Sequence, residues 1–398
     1  ISCSLVGSEM CIRDSIKTLK QIEFNKREER LKTAIPQKLI YEPTENKKLH
    51  ITYVMTWTGV CGGSKIILEH ANKLTARGHK ITIISHDKKP IWFKMNDSIQ
   101  FIEVPWGQTL CESIPKCDVI VATYWREIYE CIEQKIAPVI YFEQGDYHLF
   151  DLEKLDNRTY EYIKKQLEVV QFVYTVSTFA KNKIKQIYNK DAIVIPNAVD
   201  STIFFCKEYR KNNKKINIAI IGSEESEFKR IGNILKAIEI VKEEGYDIEL
   251  NWITPTEPKR NKIKAIVNPP QLIIGDTLRK SDIYICASMY ESFCLPVLEA
   301  MTCGVAVITT NNGGNMDFVK DNENALVIEK DNIDDIVEKT KKLINNAQLR
   351  ERLSRAALET SKQYSWNKTI NMVEEYYRNI ANYKICLLYT SPSPRDCS

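Results

Sequence analysis

The chain of 398 residues has no long apolar run. None reaches the ~18 residues that a membrane-spanning helix needs, so no span is expected. Histidine is scarce, at 5 residues, and no pair of the 12 cysteines combines C-x2-C spacing with nearby histidines. That excludes the common zinc sites. Charge of one sign is not in excess either. Lys and Arg total 56 against 52 Asp and Glu, and the net charge of +4 does not indicate a nucleic acid partner. Lys181–Lys190 and Lys207–Lys215 are lysine-rich, and such runs read as solvated faces or linkers, with a membrane surface as the alternative.

What remains is the composition of a globular α/β protein, 43% hydrophobic and 27% charged. Eight cysteines (Cys61, Cys111, Cys117, Cys131, Cys206, Cys286, Cys294 and Cys303) lie away from the chain ends, several of them in strand-like runs. That suits reduced thiols and a cytoplasmic setting, extending to the inner face of a membrane. The two ends read differently. Leu5–Ser15 and Cys386–Asp396 can be back-translated into opposite strands of one DNA segment, and they resemble a translated sequencing adapter. Residues 1–15 and 385–398 are therefore set outside the expected fold, and the lack of an initiating Met fits a truncated reading frame.

Between these ends, apolar strands alternate with amphipathic helices, which predicts parallel sheets built from βαβ units. The expected division is an N-terminal extension (16–48), a first Rossmann-like domain (49–196), a linker (197–215), a second Rossmann-like domain (216–364) and a terminal helix (365–384). Strands are expected at His50–Met55, Lys80–Ser85, Ile99–Val104, Asp118–Thr123, Pro138–Phe142, Gln171–Val176 and Ala192–Ile195. In the second half they are expected at Ile216–Ile221, Glu249–Ile253, Asp282–Ala287, Val305–Thr309 and Ala325–Ile328.

The densest chemistry is in Ser288–Gly304, S-M-Y-E-S-F-C-L-P-V-L-E-A-M-T-C-G. Glu291 and Glu299 stand eight positions apart. Pro296 suits the first helical position, where its fixed φ costs no hydrogen bond. Glu291 is then expected in the preceding loop and Glu299 in the first helical turn. A helix start offers free N–H groups and partial positive charge to a phosphate, and carboxylates beside it can accept from sugar hydroxyls. Glutamates at such a place also stabilise a helix with no ligand at all.

This stretch resembles the donor signature E-G-F-G-L-P-x-x-E-A-M-A-x-G of the retaining glycosyltransferases of family 4. The resemblance implies the GT-B fold, in which two Rossmann-like domains face each other across a cleft and a C-terminal helix crosses back to the first domain. It assigns Glu291 to the transferred sugar, Glu299 to the ribose, and the backbone of Ser292, Phe293, Cys294 and Leu295 to the diphosphate. Ser292 and Cys294 replace two family glycines.

Other segments extend the resemblance to about His50–Tyr383. T-W-T-G-V-C-G-G-S-K follows the first strand. It has the spacing of neither G-x-G-x-x-G nor a P-loop, because Cys61 and Ser64 occupy the needed places and Lys65 follows the serine. It looks like the Gly62-Gly63 loop that the family sets over the donor phosphate. I-G-S-E-E-S-E-F-K-R corresponds to the family's G-R-x4-K-G. Lys229 then takes the lysine role, with Arg230 as helper, because Ser223 stands where the arginine belongs. The family's histidine after the fourth strand is replaced by Thr123. Gln144, Asp146 and His148, in Y-F-E-Q-G-D-Y-H with Glu143, are the candidate acceptor or sugar side. Gly313-Gly314 resembles the loop near the base or phosphate.

The resemblance thus implies sugar transfer from a nucleotide-diphosphate sugar to a glycan, lipid-linked or small-molecule acceptor with retained configuration. It implies no metal and no separate cofactor; D-x-D, the metal-binding donor motif, is not evident. Glu291 and Lys229 would carry the chemistry, in bacterial surface-polysaccharide or glycoconjugate synthesis. A sugar-nucleotide epimerase of the same fold would need acid and base residues in the cleft, which five ungrouped histidines do not supply. A degenerate nucleotide-sugar or glycan-binding module is the non-enzyme alternative.

Overall fold

A computed structural model describes residues 21–22, 24–43, 48–207, 215–258 and 264–386. The adapter-like residues 1–15, the linker residues 208–214 and the tail from 387 onward lie outside them.

Two parallel sheets dominate. The first contains β2 (His50–Val54), β3 (Lys80–Ser85), β4 (Gln100–Glu103), β5 (Val119–Ala122), β6 (Val139–Glu143), β7 (Phe172–Thr175) and β8 (Ile193–Val194). Its order is β4-β3-β2-β5-β6-β7-β8. The second contains β9 (Ile216–Ile221), β10 (Ile248–Thr254), β11 (Ala265–Val267), β12 (Ile283–Cys286), β13 (Ala306–Thr310) and β14 (Leu326–Ile328), in the order β11-β10-β9-β12-β13-β14. All neighbours in both sheets pair in parallel. Each sheet reverses direction beside its first strand, the doubly wound arrangement that opens a crevice at the strands' carboxyl ends. Strands such as β3, β5 and β13 are rich in Ile and Val because helices cover both faces. Ile51, Ile81, Ile83, Val119 and Val121 are fully buried in one sheet, and Ile218, Ile220, Ile283 and Ile308 in the other.

The helices that position the site are α1 (Gly62–Ala76), α2 (Thr178–Tyr188), α3 (Ile231–Glu243), α4 (Gln271–Lys280), α5 (Leu295–Thr302) and α6 (Trp366–Ala381). The last helix packs on the first domain. Its Ile370, Val373, Tyr377 and Ile380 are buried, each worth about 1.5–3 kcal/mol by burial. Arg77 and His79, at the end of α1 and the start of β3, both contact Glu374 of α6, at 2.7 and 3.0 Å. The two interdomain connections run side by side. Val199 bridges to Ser365, and the Thr369 hydroxyl donates to Pro196 O at 2.9 Å.

Several elements differ from the sequence reading. The terminal helix stops at Ala381, and Tyr383–Ile385 forms β15, antiparallel to β1 (Leu39–Tyr41). Cys386 N–H continues the pairing to Lys38 O. Residues 385 and 386, set aside with the tail, thus join a two-stranded sheet with the segment read as an N-terminal extension. Pairing between the two ends of a chain leaves no local signature. Strand β11, three residues on the sheet edge, and α4 were also unforeseen. Gly275 lowers the helical propensity of α4, yet only glycine fits there, because a Cβ would stand 2.6 Å from Ile203 O of the linker.

Candidate functional site

The cleft between the domains is lined by the residues that follow the strands' carboxyl ends. On the second domain, the chain leaves β9 through Gly222 and makes a short 3-10 turn, Glu227–Lys229. Phe228 stacks on Tyr290 with ring centroids 5.1 Å apart, and Met289 N–H donates to Phe228 O at 2.7 Å. These contacts dock the turn on the loop after β12, and Lys229 Nζ meets Glu291 Oε1 in an ion pair. The Ser288 hydroxyl donates to the same carboxylate oxygen at 3.0 Å. Burial works against the Lys229 ammonium, but the Glu291 carboxylate, with Cys294 and Cys286 behind it, outweighs that and raises its pKa. Lys229 is a firmly held cation.

The Glu291 backbone is fixed as well, donating to Asn312 O and accepting from Gly314 N–H. Close packing explains Gly314, since a Cβ there would stand 2.3 Å from the Ser292 backbone. Gly313 has a φ of +90° and lies under the ring of Phe179 from α2. Cys294 adopts a left-handed φ of 69° as the N-cap of α5, a conformation that glycine takes without cost. Its sulfur lies 3.8 Å from Cys286. Helix α5 begins at Leu295, one residue before Pro296, so Glu299 is its fifth residue and lies in the second turn. The sequence reading put it in the first. At the start of α5, Pro296 carries no N–H and Val297 N–H donates to Cys294 O at 3.2 Å, so Leu295 supplies the helix-start N–H.

On the facing wall, Cys61 caps α1 by accepting from Ser64 N–H at 3.3 Å. Gly62 and Gly63 form the first helical residues rather than a free loop. A Cβ at Gly62 would meet nothing within 4 Å, so the helix start is open. Gln144 Nε2 donates to Gly63 O at 3.1 Å. Lys65 Nζ reaches over to the second domain, bonding Gln271 Oε1 at 2.6 Å and standing 3.8 Å from Glu299 Oε1. Burial raises the Glu299 pKa, and Lys65 opposes it.

The Glu143–His148 segment closes the cleft from the first domain. The Glu143 carboxylate accepts from Tyr141 OH at 2.6 Å and Gly145 N–H at 2.7 Å, and lies 3.0 Å from His148 Nε2. Burial would raise its pKa, but His148 and these donors lower it. His148 is fully buried and its ring also contacts Tyr188 OH at 3.2 Å. It supports the loop from inside and does not face the cleft, contrary to the sequence expectation. Asp146 caps the turn that follows, accepting from Tyr147 N–H at 2.8 Å. Gly145, with φ +89°, lies against Ser292 of the loop before α5. Thr123 is half-buried, its hydroxyl donating to Val54 O at 2.9 Å.

The structure thus gathers Lys229, Glu291, Ser292, Phe293, Cys294, Leu295 and Glu299 on one wall and sets Gly62, Gly63 and Gln144 on the other. Arg230 stays outside this group, because its guanidinium forks onto Asp331. Ser223, in the place of the family's arginine, is buried and bonds the Thr256 hydroxyl at 3.1 Å. The sequence reading missed Ser288, Lys65 and Gln271 as site residues. Lys65 did leave a signal, since a lysine in a helix's first turn opposes the macrodipole. Another unforeseen group is Glu127, fully buried beside Thr56 after β2, whose carboxyl is pushed up to about 8 by burial against the pull of Arg27 and Arg126.

Among the described residues no helix is long and apolar enough to cross a membrane. Residues 256–360 match the family model described as "Glycosyl transferases group 1". An uncharacterised glycosyltransferase of Methanocaldococcus jannaschii is 27% identical over 223 residues, 53% of this chain and 60% of that protein. Alignments with the first curated relatives span between 26% and 60% of their lengths. Sucrose-phosphate synthase of Thermosynechococcus elongatus superposes with a TM-score of 0.69 at 14% identity, covering 83% of this chain and 98% of that one. Anabaena HepE, solved with UDP-glucose, superposes with a TM-score of 0.66 at 13% identity, covering 82% and 98%. The fold is GT-B.

Proposed function

We propose that the chain is a glycosyltransferase that moves a sugar from a nucleotide-diphosphate sugar to an acceptor hydroxyl, with retained configuration and without a metal. The observation that carries this is the Lys229–Glu291 pair, held by Ser288 at the mouth of the loop that opens α5. A fixed ammonium beside a free helix start is what a departing diphosphate needs.

Each residue has a share. Lys229 neutralises charge as the bond to the diphosphate breaks, and the N–H groups of 292–295 and the start of α1 at Gly62-Gly63 approach the phosphates. Glu291 orients the sugar and Glu299 accepts from the ribose hydroxyls. The departing phosphate serves as base toward the acceptor on the same face, so the protein's part is positioning and electrostatics. Arg230 would have to leave Asp331 to help. Thr123, Gln144 and Asp146 are the candidate acceptor side, with His148 acting through the loop it supports. The acceptor is a glycan, lipid-linked or small-molecule hydroxyl in surface-polysaccharide or glycoconjugate synthesis, in the cytoplasm or at the inner face of the membrane. All five histidines belong to the first domain and four are buried, so no group of histidines favours the epimerase reading.

The test is release of nucleotide from a panel of UDP-, GDP-, ADP- and dTDP-sugars, with and without EDTA. Release from one donor that resists EDTA and is lost in Glu291→Ala supports the proposal. Failure of every donor both to react and to bind overturns it.

A further inference from the structure

Lys65 and Glu299 belong to different domains, yet their side chains are only 18% and 10% exposed and their charged atoms stand 3.8 Å apart. The Lys65 ammonium also bonds Gln271 Oε1 at 2.6 Å and lies 5.8 Å from the centroid of the Phe204 ring. It is therefore enclosed by three groups of α4, α5 and the linker while its own backbone sits in the first turn of α1. That turn is the wrong place for a lysine if helix stability were its purpose. Its charge acts across the cleft.

Glu299 is the group that this charge reaches. Burial alone drives its carboxyl toward the neutral form, and Lys65 is the cation that opposes this. An ionised carboxylate is acceptor-only, with two oxygens able to receive two hydroxyl donors at once, whereas the protonated form has given one of those places to its own proton. A vicinal diol needs both.

We infer that Lys65 is a positioning residue for the donor ribose, delivered by the opposite domain: it keeps Glu299 ionised and aimed, so that the ribose diol is gripped fully only when the cleft is closed. The inference rests on the proposed role of Glu299 as the ribose contact. It makes recognition of the nucleotide conditional on closure, which commits the donor before the acceptor reacts. Lys65 also restores to the cleft a positive charge, which Ser223 no longer provides and Arg230 spends on Asp331.

The experiment compares a nucleotide-sugar with its 2′-deoxyribose analogue on the purified chain, in wild type, Lys65→Met, Lys65→Arg and Glu299→Gln. Wild type should prefer the ribose donor, and Lys65→Met should raise KM for it by about tenfold with kcat little changed. The preference for ribose should fall toward unity in Lys65→Met as it does in Glu299→Gln, and be partly kept in Lys65→Arg. The double variant should be no worse than Glu299→Gln alone, because neighbours acting as a unit are not additive. If Glu299→Gln loses the preference and Lys65→Met keeps it, the inference fails while the donor reading stands. An equal loss for both donors in Lys65→Met indicates a merely structural lysine and also overturns it. If no nucleotide-sugar binds or reacts in wild type, the donor reading itself fails. Should Lys65→Met not fold, Lys65→Gln carries the same comparison.

Discussion

Tyr174 and Tyr377 join their hydroxyls at 2.7 Å across 203 residues of chain. One belongs to β7 of the first sheet and the other to α6, after the second domain is complete. Tyr53 donates to the same Tyr377 oxygen at 3.3 Å, so three fully buried hydroxyls satisfy one another where the terminal helix returns. Tyr377→Phe should lower unfolding free energy by about 1–3 kcal/mol, because two buried hydroxyls lose a partner. Tyr41→Phe, at an exposed position, should change it by less than about 0.5 kcal/mol. Urea denaturation followed by circular dichroism measures both, and an unchanged midpoint in Tyr377→Phe would contradict the anchoring role.

A second latch lies beside it. Burial works against the Glu374 carboxylate, yet hydrogen bonds from Arg378, Arg77 and His79 bring it down to about 2 from an ordinary 4.5. A depressed carboxylate pKa adds stability that is fully present above the unfolded value and is lost as pH falls toward the folded one. The wild type should therefore lose this contribution between about pH 4.5 and 2. Glu374→Gln should already lack it at neutral pH, at a cost of about 1–3 kcal/mol, and should show a shallower acid transition. Parallel acid titrations of the two proteins would disprove this.

The Lys229–Glu291 pair makes a prediction about alkaline pH. The carboxylate holds the ammonium pKa above its ordinary value against burial, so Lys229 stays charged until well into the alkaline range. Glu291→Gln removes the largest group that opposes burial and should lower that pKa. Turnover should fall by about 10²–10³, and what remains should decline at lower pH than in wild type. A residual activity with an unmoved alkaline limb would argue against Lys229 as the working cation.

Gly145 and Gly314 give a steric test. A Cβ on Gly145 would stand 2.5 Å from the Ser292 Cβ, and one on Gly314 would stand 2.3 Å from the Ser292 backbone. Gly145→Ala pushes the two walls apart, whereas Gly314→Ala displaces the loop before α5 within its own domain. Both should raise KM for the donor, but only Gly145→Ala should enlarge the particle in small-angle scattering. Equal scattering from the two variants would refute the distinction.

The thiols separate by environment. Hydrogen bonding from Cys294 lowers the Cys286 thiol pKa against burial, with help from Lys229. Burial pushes Cys111 and Cys131 up, though their sulfurs also touch, at 3.5 Å. In a Cys61→Ser background at pH 7, a small alkylating reagent should modify Cys286 before either of that pair, as peptide mass spectrometry would show. Equal rates would contradict the assignment.

The sequence alone determined the alternation that makes two parallel sheets, because strands covered on both faces must be largely apolar, as Val119–Ala122 is throughout and Ile216–Ile221 is apart from Asn217. It also placed the Glu291–Glu299 segment in a loop that opens a helix. Glu291, Pro296 and Glu299 lie within one loop and one helix, where spacing and helix-start chemistry are local. Tertiary structure decided everything carried by contacts between distant segments. Lys65 reaches Glu299 only because two domains close on each other, and His148 turns inward because Glu143 and Tyr188 are there to receive it. Arg230 looked free to help Lys229 until Asp331, 101 residues later, took its guanidinium. Periodicity and spacing record what a residue's near neighbours require, and charge pairing across a cleft leaves no such record.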